Sequence, residues 1–190
     1  MIQFMFGLLG LKNAMFKKIM ANSYSKYPAK IPDSVYRDCN VKLKQIAGRA
    51  VWFISPKNVN SKHIMLYLHG GAFYANLSSM HWQWIQQLAV STHATLVVPD
   101  YPLAPENNCE TCYAFIDRVY DQILTMFETE NLVFMGDSAG ATLALGLAQY
   151  VATTSKRQPK QIVLFSPWLD ADLLNPEIVE LDKRDKILNI

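Results

Sequence analysis

The sequence predicts an α/β fold: a doubly wound, mostly parallel sheet with helices on both faces. Three observations predict it. Short apolar runs alternate with helix-period segments through residues 64–165. Those runs are continuous rather than alternating, as strands buried on both faces require. Glycine-bearing segments follow two of the runs, and in such sheets the functional loops lie beyond the carboxyl ends of the strands.

Taken in order, the first sixteen residues are apolar-rich. Leu8, Leu11, Met15, Phe16, Ile19 and Met20 recur near the helical period, which predicts an amphipathic helix. Lys12, Lys17 and Lys18 interrupt or follow the apolar stretch instead of preceding it, unlike a secretory signal, and no run is long enough to span a bilayer. Residues 1–38 are therefore expected to form a helical cap or lid segment, with no stable membrane anchor, and residues 39–190 a core domain. A Pro- and Ser-containing stretch, 23–34, reads as loop. Residues 41–55 hold two strand-like runs broken near Gly48, an expected antiparallel hairpin.

The alternation then begins. Ile64-Met65-Leu66-Tyr67-Leu68 is a buried-type strand. Residues 79–91 are helical, with Met80, Trp84, Ile85 and Leu88 assigned to one face. Thr95-Leu96-Val97-Val98 is a strand ended by Pro99. Cys112, Phe115, Ile116, Val119, Tyr120, Ile123, Leu124 and Phe127 keep the i, i+3, i+4, i+7 rhythm of an amphipathic helix. Leu132-Val133-Phe134-Met135 is a strand, 139–151 a helix apolar on nearly all sides, and Ile162-Val163-Leu164-Phe165 another strand.

Composition narrows the function classes. Of 190 residues, 51% are hydrophobic and 18% charged, enough to bury a core but lean for a free-standing surface. The net charge of +2, from scattered basic residues, excludes nucleic acid as an expected partner. Three cysteines, Cys39, Cys109 and Cys112, do not make a disulfide framework; Cys112 is expected in the core and Cys109 is incidental. Asn76-Leu77-Ser78 matches a glycosylation sequon by chance. The expected compartment is the cytoplasm.

Two segments carry chemistry. Gly136-Asp137-Ser138-Ala139-Gly140 follows a strand and opens a buried helix, the context in which G-x-S-x-G forms a nucleophile elbow. A sharp strand-to-helix turn crowds its neighbours, so the positions two before and two after the serine must be small. The turn exposes the Ser138 hydroxyl, and the Ala139 amide at the helix N-terminus can stabilise an oxyanion. The second segment, His69-Gly70-Gly71-Ala72-Phe73, directly follows a strand. Adjacent glycines free the backbone to turn its N–H groups toward one point, making Gly70 and Gly71 candidate oxyanion donors. His69 suits a structural hydrogen bond rather than the role of base.

With both motifs in this order and one strand–helix unit between them, the chain resembles the hormone-sensitive-lipase-like branch of the α/β-hydrolases, which includes bacterial acetyl esterases, carboxylesterases and lipases. The resemblance spans about residues 40–190. It rests on the two motifs above, on Asp100-Tyr101-Pro102-Leu103-Ala104-Pro105-Glu106 and on Ser166-Pro167-Trp168-Leu169-Asp170. Ala72 departs from the commoner third glycine. The resemblance implies a carboxylic ester hydrolase working through an acyl-serine on Ser138, with a small-molecule ester substrate and neither metal nor organic cofactor. His69, Asp137 and Glu106 are implied as supporting residues, Glu106 by bonding a neighbouring backbone or His69. Trp168 is expected near the acyl pocket or the sheet end.

A serine needs a base, and in this fold the triad runs Ser, then Asp or Glu, then His. All four histidines, His63, His69, His81 and His93, precede Ser138. The chain is therefore expected to be a truncated α/β-hydrolase that lacks the triad acid and histidine, is missing C-terminal strands, and is nearly inactive alone. An open sheet edge of that kind favours self-association. The alternative is a non-catalytic ligand-binding remnant, or one half of a split hydrolase.

Overall fold

The computed structural model describes residues 25–127, 131–170, 172 and 174–184. The expected N-terminal helix lies outside the described residues. The fold divides into two units. One comprises Met1–Ser25 and Leu169–Ile190, whose described part holds a short helix. The other, Lys26–Trp168, carries the sheet.

Within Lys26–Trp168 the helices are α1 (Asp33–Asp38), α2 (Ser79–Thr92), α3 (Cys109–Met126) and α4 (Ala139–Ala152). The strands are β1 (Cys39–Ile46), β2 (Arg49–Pro56), β3 (His63–Leu68), β4 (Ala94–Pro99), β5 (Leu132–Asp137) and β6 (Gln161–Phe165). They form one six-stranded sheet in the order β1-β2-β4-β3-β5-β6. β1 and β2 form the antiparallel hairpin, and β2 runs antiparallel to β4. β4, β3, β5 and β6 are parallel. The hairpin closes on Ala47 and Gly48, both at positive φ (48° and 78°), the left-handed pair that a two-residue hairpin turn demands.

The continuous apolar strands have the cause the pattern predicts. Side chains alternate across a pleated strand, so a strand covered on both faces is apolar throughout. Ile64, Leu66 and Leu68 of β3 join the cluster under α3 and α4. Tyr67 joins the opposite cluster, which holds Val35 of α1 and Trp82, Ile85 and Ala89 of α2. In α3 the 3.6-residue rhythm buries Cys112, Phe115, Ile116, Val119, Tyr120 and Ile123, and the Asn108 side chain caps the helix by accepting from the Thr111 N–H at 2.9 Å. Cys39 and Cys112 are buried, Cys109 is exposed, and all three are free thiols.

Two expectations are corrected. Residues 33–38 form α1, whose first two residues fall in the stretch read as loop; a single turn burying only Val35 offers too few apolar positions to show a period. In α2 the assigned face is wrong in part. Ile85 is buried, but Met80 is 75% and Trp84 40% exposed, while Trp82 and Ala89 are fully buried. Trp82 wins because it can satisfy its polar edge inside: its indole N–H donates to the Ala29 carbonyl at 2.7 Å, and its ring meets Trp52 edge-on at 5.1 Å.

β6 ends the sheet, paired among the described residues with β5 alone. Ile162 and Phe165 on it are 42% and 41% exposed. No described helix is long and apolar enough to cross a membrane. The Trp82 contacts give a direct test. Trp82→Ala removes a buried indole and orphans a carbonyl, and should destabilise folding by about 3–5 kcal/mol. Urea denaturation checks this, and a loss below about 1 kcal/mol would contradict the packing described.

Candidate active site

β5 delivers Asp137 and α4 begins at Ala139, leaving Ser138 on the turn between them. Its backbone is held at φ 50°, ψ −122°, a sparsely populated conformation that costs about 1–3 kcal/mol and persists only where packing enforces it. The enforcing contacts are on both sides. A Cβ on Gly136 would fall 2.4 Å from the Gly140 backbone, and one on Gly140 would fall 2.0 Å from the Leu68 carbonyl oxygen and 2.4 Å from that of His69. Both glycines are thus steric necessities, and the second seats the elbow against the end of β3. The Ser138 N–H donates to the Phe165 carbonyl at 2.8 Å, tying the turn to β6 as well. The residue is exposed, and no described group hydrogen-bonds its hydroxyl.

The loop after β3 is built around His69, which is fully buried. Its Nδ1 donates to the Gly70 carbonyl at 2.7 Å. The Tyr101 ring stacks on the imidazole at 4.4 Å, and the Tyr101 hydroxyl donates to the His69 carbonyl at 2.6 Å. Burial drives the His69 pKa down to about 4, against a smaller upward pull from the Gly70 carbonyl, so the ring is neutral near pH 7. Gly71 sits at φ 133°, where a Cβ would also meet the Ala75 carbonyl at 2.3 Å. Ala72 and Phe73 follow at φ 50° and 64°, left-handed values that Ala72 adopts without glycine's freedom.

Gly70 departs from its expected role. Its N–H donates to Asp137 Oδ1 at 2.9 Å, so this amide braces the loop instead of facing an oxyanion. The N–H groups of Gly71 and Ala139 carry no such bond among the described residues. Glu106 pairs with Lys26 at the surface, and the His69 carbonyl is held by the Tyr101 hydroxyl. Trp168 lies 6.0 Å from the Phe73 ring, and its N–H donates to Thr142 Oγ1 at 2.9 Å, placing it over the start of α4.

Asp137 joins the two loops. Its Oδ1 accepts from Gly70 and from the Tyr67 hydroxyl at 2.6 Å, while Oδ2 lies 3.6 Å from His81 Nε2. Burial raises the Asp137 pKa, but His81, Tyr67 and the Gly70 amide outweigh it and hold the carboxyl below its usual range. Burial and the Asp137 charge push the Tyr67 hydroxyl well up, keeping it a donor. Sequence reasoning missed Tyr67, Tyr101 and His81 as site residues. A hydroxyl-bearing ring inside the otherwise apolar run of β3 was the available signal for Tyr67.

No hydrogen bond joins any of the four histidines to Ser138 among the described residues. His63 begins β3 and His93 caps the C-terminal end of α2 before β4, both away from the strand ends that carry the site. His69 is buried against Gly70, and His81 is engaged by Ser78 and faces Asp137.

A family model described as alpha/beta hydrolase fold matches residues 65–189. An esterase of Acinetobacter venetianus is 30% identical over 151 residues, covering 79% of this chain and 48% of its own length. Among solved structures, a Staphylococcus aureus protein assigned as an esterase superposes with TM-score 0.75 at 29% identity, covering 87% of this chain and 55% of that one. A bacterial esterase of the hormone-sensitive lipase family gives TM-score 0.70 at 21% identity, a likeness of fold, covering 85% and 53%. The chain spans about half the length of each.

The unfolded chain takes up a proton on His69 below the ordinary value near 6.5, whereas the folded chain holds it off to about 4. The stability this confers is full above pH 6.5, is lost as pH falls toward 4, and amounts to about 3 kcal/mol. Urea midpoints at pH 7 and pH 4.5 measure the loss, and His69→Gln should flatten that part of the slope. Gly140→Ala should destabilise by more than about 2 kcal/mol, because its methyl would overlap backbone atoms that cannot yield; a near-neutral variant would contradict the seating of the elbow on β3.

Proposed function

The chain belongs to the α/β-hydrolase fold family, and from that premise we propose that it carries the nucleophile and oxyanion loop of a carboxylic ester hydrolase. One observation carries the reading. Ser138 is exposed in a strained strand-to-helix turn, and a loop of freely turned amides is pinned beside that turn by Asp137.

The chemistry is acyl transfer. The Ser138 Oγ attacks the ester carbonyl carbon and its proton passes to a base. The carbonyl oxygen becomes an oxyanion held by the Gly71 and Ala139 amides, with the N-terminal end of α4 adding a favourable dipole. Collapse breaks the bond to the alcohol oxygen, which leaves protonated, and the acyl group remains on Ser138. Water then attacks the acyl carbon, again through a base, and returns the serine. Aromatic Phe73 and Trp168 beside the turn suit the apolar part of a small ester. No step calls for a metal or an organic cofactor.

The described histidines leave the base position to another source. In this reading the base and its orienting acid are supplied by polypeptide beyond these residues, either continuous with this chain or as a second chain that completes a split enzyme. The side of β6 that pairs with no described strand, on a strand with exposed Ile162 and Phe165, is where such polypeptide, or a second copy of this one, would add to the sheet. The three free thiols fit a reducing compartment such as the cytoplasm.

Hydrolysis of p-nitrophenyl acetate by the 190-residue chain tests the assignment. Release should be slow, no more than about 10³–10⁴ over water, and the part of it that passes through an acyl-serine should be absent from Ser138→Ala. Release wholly unchanged in Ser138→Ala would overturn the assignment, whereas fast, Ser138-dependent release would keep it and overturn the absence of a base among the described residues.

A further inference from the structure

His81 is the one ionisable side chain from α2 that reaches the Asp137 carboxylate, and nothing in the nucleophile chemistry uses it. Its protonation pattern can be read from its neighbours. The Ser78 backbone N–H donates to His81 Nδ1 at 2.9 Å. A ring nitrogen that accepts from an N–H carries no proton, so the imidazole hydrogen sits on Nε2. That nitrogen lies 3.6 Å from Asp137 Oδ2. The ring cannot easily turn away, because the His81 N–H donates in return to Ser78 Oγ at 3.3 Å, closing a box at the start of a 14-residue helix.

The two oxygens of Asp137 have separate tasks. Oδ1 is taken by the Tyr67 hydroxyl and the Gly70 N–H. Oδ2 faces His81 and packs so closely on Gly70 that a Cβ there would fall 2.2 Å from it. Swinging the carboxylate away from His81 would break the Gly70 bond. The side chains of His81 and Asp137 are 20% and 33% exposed, so the contact is shielded from bulk water in large part. The Ser78 hydroxyl also lies 3.1 Å from His81 Nδ1, and the buried, neutral His69 ring stands 5.7 Å away, where it does not compete as a charge.

We propose that His81 is a positioning residue for the oxyanion loop: its Nε2–H faces Asp137 Oδ2 across 3.6 Å, and that dipole steadies the carboxylate that holds the Gly70 peptide and so aims the Gly71 amide. The functional meaning rests on the acyl-transfer reading above, but the linkage does not. α2 thereby becomes part of the site's frame. A helix start is normally a neighbour of such a loop; here its third residue is wired to it.

Amide exchange and histidine tautomer, both read by NMR on the full chain, test this apart from any activity. Glutamate at position 81 would keep the box with Ser78, since Glu is a standard partner at that position, yet turn a negative charge toward Asp137. His81→Glu should leave the amides at the start of α2 protected and speed exchange at Gly70 by about tenfold, the worth of one charge-assisted hydrogen bond. His81→Gln, which keeps both an acceptor and an N–H donor, should restore Gly70 protection. If His81 serves as a helix cap alone, Gly70 exchange in His81→Glu will match the parent, and the proposal falls. Independently of any variant, the parent ring must show the Nε2–H tautomer; an Nδ1–H ring would overturn the proposal even if the variants failed to fold. A chain whose Gly70 responds as expected but whose hydrolysis ignores Ser138 would keep the linkage and discard the acyl-transfer reading.

Discussion

The bond from the Gly70 N–H to the Asp137 carboxylate is the interaction on which the rest of the site depends. It joins the loop after β3 to the turn after β5, two segments separated by 67 residues of chain. β3 and β5 are hydrogen-bonded neighbours, with Leu68 in register with Gly136, so the sheet brings the two loops to the same height. Register alone does not orient them. The shared carboxylate does, and it also explains why the residue before the nucleophile is an acid: it must be charged to hold an amide, a phenol and an imidazole at once.

Sterics supply the complementary constraint. Gly136 and Gly140 let the elbow close on itself and on the end of β3, and the close approach forces Ser138 into its strained backbone. Strain at a nucleophile needs an over-determined surround. Here that surround is apolar on both sides of the sheet, with Leu66, Leu68 and Phe134 packed toward α3 and α4, and Tyr67 packed in one cluster with Val35 of α1 and Trp82 and Ile85 of α2. The site is thus polar only at the strand ends, where Asp137, His69 and their partners collect.

Much of this was legible in the sequence because it is local. Continuous apolar strands, the α3 period, the break near Gly48 and the two glycine motifs all declare themselves within a few residues. What was not legible is the pairing of groups distant along the chain. Tyr67, His81 and Asp137 come from three different elements, and nothing local to His81 distinguishes a residue of α2 from a partner of Asp137. Gly70 shows the same limit. Two adjacent glycines say that amides are free to turn, not which of them is already taken. The face of α2 was misread because its apolar residues fill more than one stripe, and the choice of Trp82 over Trp84 was made by a carbonyl, that of Ala29, fifty-three residues away.

The account's central claim is that Ser138 forms an acyl intermediate on a turn framed by Asp137. Without a base both steps are slow, but an activated ester loses a nitrophenolate in the first step and the serine alkoxide, a far poorer leaving group, must depart in the second, so the acyl group should accumulate on this chain. The most direct measurement is mass spectrometry of the chain after incubation with p-nitrophenyl butyrate, with the modified peptide located by fragmentation. The account predicts one butyryl group, carried on Ser138. A butyryl group found on another residue, with Ser138 unmodified, would contradict it.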